Sequence, residues 1–193
     1  MTKRTGAVPA ETRENIINAA REEFLNCGFQ GSSLRRICSQ AGVTTGAVYF
    51  FFKGKNDLFE KIIREVIDPL FEFMEEHYRS HSTQDYEVTD FIIRFYWQNR
   101  KTSDIVLNHL DHPLIRGFLD EYIDMATEHY RQRILDSTHA DSVDEFDLHQ
   151  FIHMQVNALL TLVSHDFTEE EMLKHSRIVT RMLQGAFNTL LEH

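Results

Sequence analysis

The run SLRRICSQAGVTTGAVYFFFKGK, residues 33–55, holds two short apolar-periodic segments separated by a turn at Gly42. Ser32-Ser33 offers an N-cap to the first, which the apolar spacing carries to about Gln40. Ala41-Gly42-Val43 reads as a tight turn, and Thr44 or Thr45 caps a second helix that runs into Tyr49-Phe50-Phe51-Phe52. Two short helices joined by a glycine-containing turn are the helix-turn-helix arrangement. Ile37, Ala41, Val43 and Val48 are apolar where such a unit buries its faces, and Cys38 is small where its helices must touch. Thr44, Thr45, Gly46, Tyr49 and Phe50 are then left on the outer side of the second helix. In a helix-turn-helix that side meets the major groove of DNA.

Upstream, Ile16, Ala19, Ala20, Phe24 and Cys27 recur at helical spacing over Glu11–Cys27, and Gly28 supplies the stop. Phe29 then returns to the core. Charge is divided along the chain. Residues 1–55 hold eight Lys/Arg against four Glu, a balance of +4 within a total of −10. Residues 56–193 hold the other twelve basic groups against twenty-six acidic ones, a balance of −14. A polyanion is drawn to the first part and repelled by the second.

The longer stretch FLNCGFQGSSLRRICSQAGVTTGAVYFFFKGKNDLF, residues 24–59, resembles the DNA-binding domain of the TetR family of transcriptional regulators. The resemblance covers about Glu11 to Phe59. It rests on Phe24…Gly28-Phe29…Ser33, Arg35…Ile37, Ala41-Gly42-Val43, Val48-Tyr49…Phe52 and Lys55…Leu58-Phe59. It implies an all-α chain: a three-helix DNA-binding domain over 1–55, then a larger helical domain over 56–193 for ligand binding and dimerisation, about nine helices in all. Ser33 belongs to the implied DNA-binding set. Arg35 falls where a second-helix residue reaches bases, and Arg can pair with guanine through two hydrogen bonds. Thr44, Thr45 and Gly46 open the recognition helix, where hydroxyls and backbone N–H groups meet phosphates or base edges. Tyr49 matches the family tyrosine whose hydroxyl binds the DNA backbone, Phe50 can pack on a sugar or a thymine methyl, and Lys55 matches a phosphate-binding lysine. Two positions depart from the pattern. Phe51 stands where the family often has His, so a hydrogen-bonding edge is missing, and Gly54 stands where it often has Ser.

The remainder reads as further helices. Pro113 suits a first helical turn, and Ser142…Glu145 and Thr168…Glu171 read as capping boxes. The last two helices carry wide apolar faces, and the resemblance implies that they form a homodimer interface, which would bring two recognition helices to two half-sites. Phe95, Trp97, Phe118, Tyr122 and Met125 are candidates to line a cavity for a small apolar or aromatic effector, against the alternative of ordinary core. The expected partners are a palindromic double-stranded DNA operator, that effector and a second copy of the chain. Repression is the usual mode in the family.

Other classes are disfavoured. No apolar run approaches the roughly 18 residues of a membrane span. MTKRTGAVPAETRE has no apolar core after it, so no secretory signal is expected. Cys27 and Cys38 form no CxxC and read as small buried thiols in a reducing, cytoplasmic setting. There is no phosphate-cradling glycine loop, HExxH or nucleophile–base pairing, so neither enzyme activity nor a cofactor is expected. His149 and His153 stand four apart on one predicted helix, a metal-compatible spacing without an evident third ligand, and no metal is expected.

Overall fold

The computed structural model describes residues 9–79, 85–136 and 143–191. Among these residues the chain forms nine helices and no strand. They are α1 (Pro9–Gly31), α2 (Leu34–Ala41), α3 (Thr45–Phe51), α4 (Lys55–Arg79), α5 (Asp85–Gln98), α6 (Arg100–Leu107), α7 (Pro113–Leu135), α8 (Glu145–Val163) and α9 (Glu169–Leu191). The expected all-α class is the observed one. α1 breaks at Gly28, where φ is 64° and ψ 172°, so the predicted stop is a left-handed turn followed by one short helical turn.

The helices fall into two compact units. The first comprises the chain up to Ile67 together with Arg100–His112, and the second comprises Asp68–Asn99 with the chain from Pro113 onward. The functional boundary expected after residue 55 therefore lies inside the first unit, because the start of α4 and all of α6 pack with α1. Arg21 of α1 shows how. Its guanidinium donates to Thr102 Oγ1 of α6 at 3.0 Å and to Glu65 of α4 at 2.6 Å. Beneath these polar ties lies an apolar core in which Ile16, Phe24, Ile37, Val48, Leu58, Phe59, Ile62 and Ile63 are fully buried. Phe59 is its hub, with ring centres 5.2 Å from Phe24 and 4.7 Å from Phe29.

The second unit packs α5 on α9, α8 on α9 and α7 on α8. Tyr130, Phe151 and Phe187 meet at its centre with ring centres 5.1–5.4 Å apart. The box predicted at α9 is present: Thr168 N–H donates to Glu171 Oε2 at 2.9 Å, and Glu171 N–H donates to Thr168 Oγ1 at 3.3 Å. At α8 the cap is Asp144, whose carboxylate accepts from Phe146 N–H at 2.7 Å. Ser142, the residue expected to open that box, lies outside the described residues.

Candidate nucleic-acid interface

Local chemistry sets α2 and α3 against each other. Ser33 caps α2, its hydroxyl accepting from Arg36 N–H at 3.3 Å. Gly42 ends α2 in the left-handed region, with φ 66° and ψ 30°, and the following Val43 N–H donates to Cys38 O at 3.0 Å. A side chain would be strained at that φ, which is the reason for glycine in this turn. Thr44 then caps α3, its hydroxyl accepting from Ala47 N–H at 3.3 Å. The small Cys38 brings its sulfur to 3.9 Å from Thr45 Oγ1 where the helices touch.

The seven residues of α3 divide by the helical period. Val48 points into the core, as does Phe52 at the helix C-cap, while Tyr49 is 57% and Phe50 78% exposed. Phe51 is half-buried and stands edge-on to Phe50, with ring centres 4.8 Å apart and planes at 89°. Thr44, Thr45 and Gly46 are exposed at the helix start. Arg35, also exposed, makes no ion pair among the described residues, whereas Arg36 is tied to Glu23 at 2.6 Å. One surface thus carries hydroxyls, a free guanidinium and two rings.

Lys55 is placed differently from a simple surface cation. Its ammonium donates to Phe29 O at 2.7 Å and Ser32 O at 3.3 Å and lies 4.5 Å from the centre of the Phe29 ring. An ammonium has three donors, so one N–H direction is left beyond these two carbonyls. Lys55 therefore fastens the start of α4 to the α1–α2 connection, whatever else it touches.

Two further residues hold this surface in shape. Glu23 is only 2% exposed, accepts from Ser33 N–H at 3.0 Å and from Arg36 Nε at 2.7 Å, and so locks the start of α2 to α1. Burial pushes its carboxyl up, but the hydrogen bonds from Arg36 and Ser33 outweigh that and leave it below the ordinary value of 4.5. A depressed carboxyl stabilises the fold above pH 4.5, and the contribution fades as pH falls through the folded-state value. Glu23→Gln is therefore expected to lower unfolding stability by about 1–3 kcal/mol at neutral pH. Denaturant midpoints for the two proteins should converge in acid; a gap that stays constant below pH 4.5 would contradict the ionic role. The sequence signal was a carboxylate at a buried position of the α1 period, seven residues after Ile16 and one before Phe24.

The second is His109, just beyond α6. Phe29 N–H donates to its Nε2 at 2.8 Å, which leaves Nδ1 as the N–H donor to Ile105 O at 2.6 Å. The Phe29 backbone is thereby held at its N–H by His109 and at its C=O by Lys55. His112 adds a ring 4.8 Å from both Phe29 and Phe59; burial, then the neighbouring His109, lower its pKa against the opposing pull of Asp111. No local pattern in the sequence marks either histidine for this task.

In the second unit a cavity of about 40 Å³ lies among Tyr78, Thr89, Tyr122, Tyr130, Gln155 and Thr180 and their neighbours, with no charged residue in its lining. Of the five residues expected to line an effector site, Tyr122 belongs to this cavity, and Phe95, Trp97, Phe118 and Met125 do not. Phe95 stacks on Phe91 at 5.8 Å, Trp97 stands edge-on to Tyr96 at 6.1 Å, and Phe118 meets Phe71 at 6.2 Å. His149 and His153 have ring centres 4.3 Å apart, and no group of three or more metal-binding side chains occurs among the described residues. No helix among them is long and apolar enough to cross a membrane.

An all-α chain whose N-terminal unit exposes the second helix of a helix-turn-helix has the architecture of a DNA-binding regulator. Residues 16–62 match the family model for bacterial regulatory proteins, tetR family. The HTH-type transcriptional repressor BepR of Brucella suis is 47% identical over 72 residues, covering 37% of this chain and 34% of that protein. The match thus spans about a third of that relative's length. Over nearly the whole chain the fold is shared with a transcriptional regulator from Aquifex aeolicus (TM-score 0.67, 20% identity, 89% of this chain and 99% of that one). It is shared equally with FadR from Bacillus subtilis, solved in complex with stearoyl-CoA (TM-score 0.67, 21% identity, 89% and 97%).

Proposed function

We propose that the chain is a ligand-responsive transcriptional repressor that binds a palindromic operator as a homodimer and releases it when a small apolar or aromatic effector occupies the second unit. The exposed face of α3 carries this reading. Arg35 and the start of α3 (Thr44, Thr45, Gly46) address base edges and phosphates, Tyr49 a phosphate, and Phe50 an apolar feature of the groove. Ser33 acts as the cap that orients α2, and Lys55 offers its remaining N–H to the backbone of the duplex. The DNA-binding function is assigned to residues 1–55 and the effector and dimer functions to 56–193. Its place of action is the cytoplasm, and no reaction is assigned to it.

Support for the dimer comes from Phe146 and Met154 on α8 and Ile178 and Met182 on α9, large apolar residues left exposed on the last two helices. The effector reading draws on the acyl-CoA held by the FadR neighbour; the tyrosine-rich, uncharged cavity of about 40 Å³ would have to open to admit such a ligand. Release requires the effector to prefer the conformation that no longer fits successive major grooves, and coupling of this kind changes affinity by about 5–150-fold. Selection of bound duplexes from a random library is expected to enrich an inverted repeat with half-site centres about one helical turn, or a multiple of it, apart. Failure to enrich any sequence would overturn the reading.

A further inference from the structure

We infer that Phe50 reads a thymine methyl group in each half-site, so that part of the sequence preference of this protein is apolar and carried by one ring. The inference rests on α3 being the recognition helix. Among the described residues Phe50 is the most exposed of the large apolar side chains, at 78%, and it sits on the same outer face as the exposed Thr45, Gly46 and Tyr49. The ring is not loose: Phe51, itself half-buried, meets it edge-on at 4.8 Å and 89°, a favoured arrangement for two phenyl groups. A phenyl ring has no donor or acceptor, so it gains nothing from a phosphate or from base hydrogen-bonding edges. The neighbouring Tyr49 and Arg35 already supply those chemistries. In the major groove the apolar feature of the four base pairs is the C5 methyl of thymine. The surrounding +4 balance of residues 1–55 brings the ring to a polyanion rather than to an acidic protein surface of the same chain, whose remainder is at −14.

The test uses the full chain and the duplex obtained by selection. Each thymine is replaced in turn by deoxyuridine, which removes the methyl and keeps every hydrogen-bonding group, and dissociation constants are measured by fluorescence anisotropy at fixed salt. One thymine per half-site should weaken binding by about fourfold on losing its methyl, since one buried methyl group is worth about that factor. Phe50→Ala should weaken binding to the thymine duplex and abolish the thymine–deoxyuridine difference at that position, while Phe50→Leu should retain much of it. Because the side chain is exposed, both variants are expected to unfold at the wild-type midpoint. Equal binding of all deoxyuridine duplexes, with Phe50→Ala still harmful, would overturn the inference in favour of packing on a sugar. A Phe50→Ala protein that binds DNA as well as the wild type would overturn it in favour of another partner for the ring. Both outcomes leave the proposed function standing; absence of any selected sequence would remove the function itself.

Discussion

Binding to duplex DNA is expected to weaken by about a thousandfold between 50 and 200 mM salt, for a dimer that neutralises about six phosphates. The estimate follows from the cations near α3. Arg35 and Lys53 are exposed on this end of the chain, and Lys55 has an N–H left beyond Phe29 O and Ser32 O, giving three groups per protomer. Each neutralised phosphate releases condensed counterions, so the logarithm of affinity falls linearly with the logarithm of salt, by about 0.9 per phosphate. The acidic remainder of the chain, at −14, repels the duplex and leaves those few cations to carry the attraction. Titration with a random-sequence duplex isolates this term from base reading. Arg35→Ala should reduce the slope by about one per protomer if its guanidinium sits on a phosphate, and leave the slope alone while relaxing sequence preference if it sits on a guanine. A flat salt response in the wild type would contradict the DNA-binding assignment.

Phe59→Ala is expected to cost the first unit about 3–5 kcal/mol, a large share of the stability of an ordinary domain. The ring is fully buried and touches Phe24, Phe29, His109 and His112, with ring centres 4.7–5.5 Å away. Truncation opens a void where α1, α4 and the segment after α6 converge, and four aromatic neighbours cannot all move inward to fill it. Denaturant unfolding followed by DNA binding and by circular dichroism should show the N-terminal unit failing first. Phe50→Ala, by contrast, removes a ring that is 78% exposed and should change the unfolding free energy by no more than about 0.5 kcal/mol, leaving the midpoint essentially that of the wild type. Similar midpoints for the two variants would mean that Phe59 is not the keystone proposed here.

What could be read from the sequence follows the range of the interactions. Ser33, Gly42 and Thr44 were legible as caps and turn because each acts on atoms within a few residues of itself. The inward Val48 and Phe52 and the outward Tyr49 and Phe50 were legible because a helix repeats every 3.6 residues, about. Lys55 was legible as a cation near the site, yet its two carbonyl partners belong to a turn more than twenty residues earlier, and nothing local announces them. Glu23 enters the sequence reading only as one of the four Glu of the charge balance, although its phase on α1 placed it among buried residues. His109 and His112 were beyond reach, since their partners Phe29 and Phe59 lie some eighty and fifty residues away in the chain. For the effector the sequence offers only rings and a thioether at helical spacing, which ordinary core also shows; of the five candidates Tyr122 lines the cavity in the second unit.

The interleaving of Arg100–His112 with the first 67 residues bears on how such a regulator can be taken apart. A fragment ending after Ile67 would keep every residue proposed to face DNA and still lack a wall of its own core. Phe29 and Phe59 would lose the histidine rings that cover them, the Phe29 N–H its acceptor, and Arg21 its Thr102 partner. The DNA-reading part is thus modular in space but not along the gene. A chimera that grafts this reading head onto another regulator has to carry the α6 segment with it, or supply from the host a helix that offers the same ring and the same lone pair.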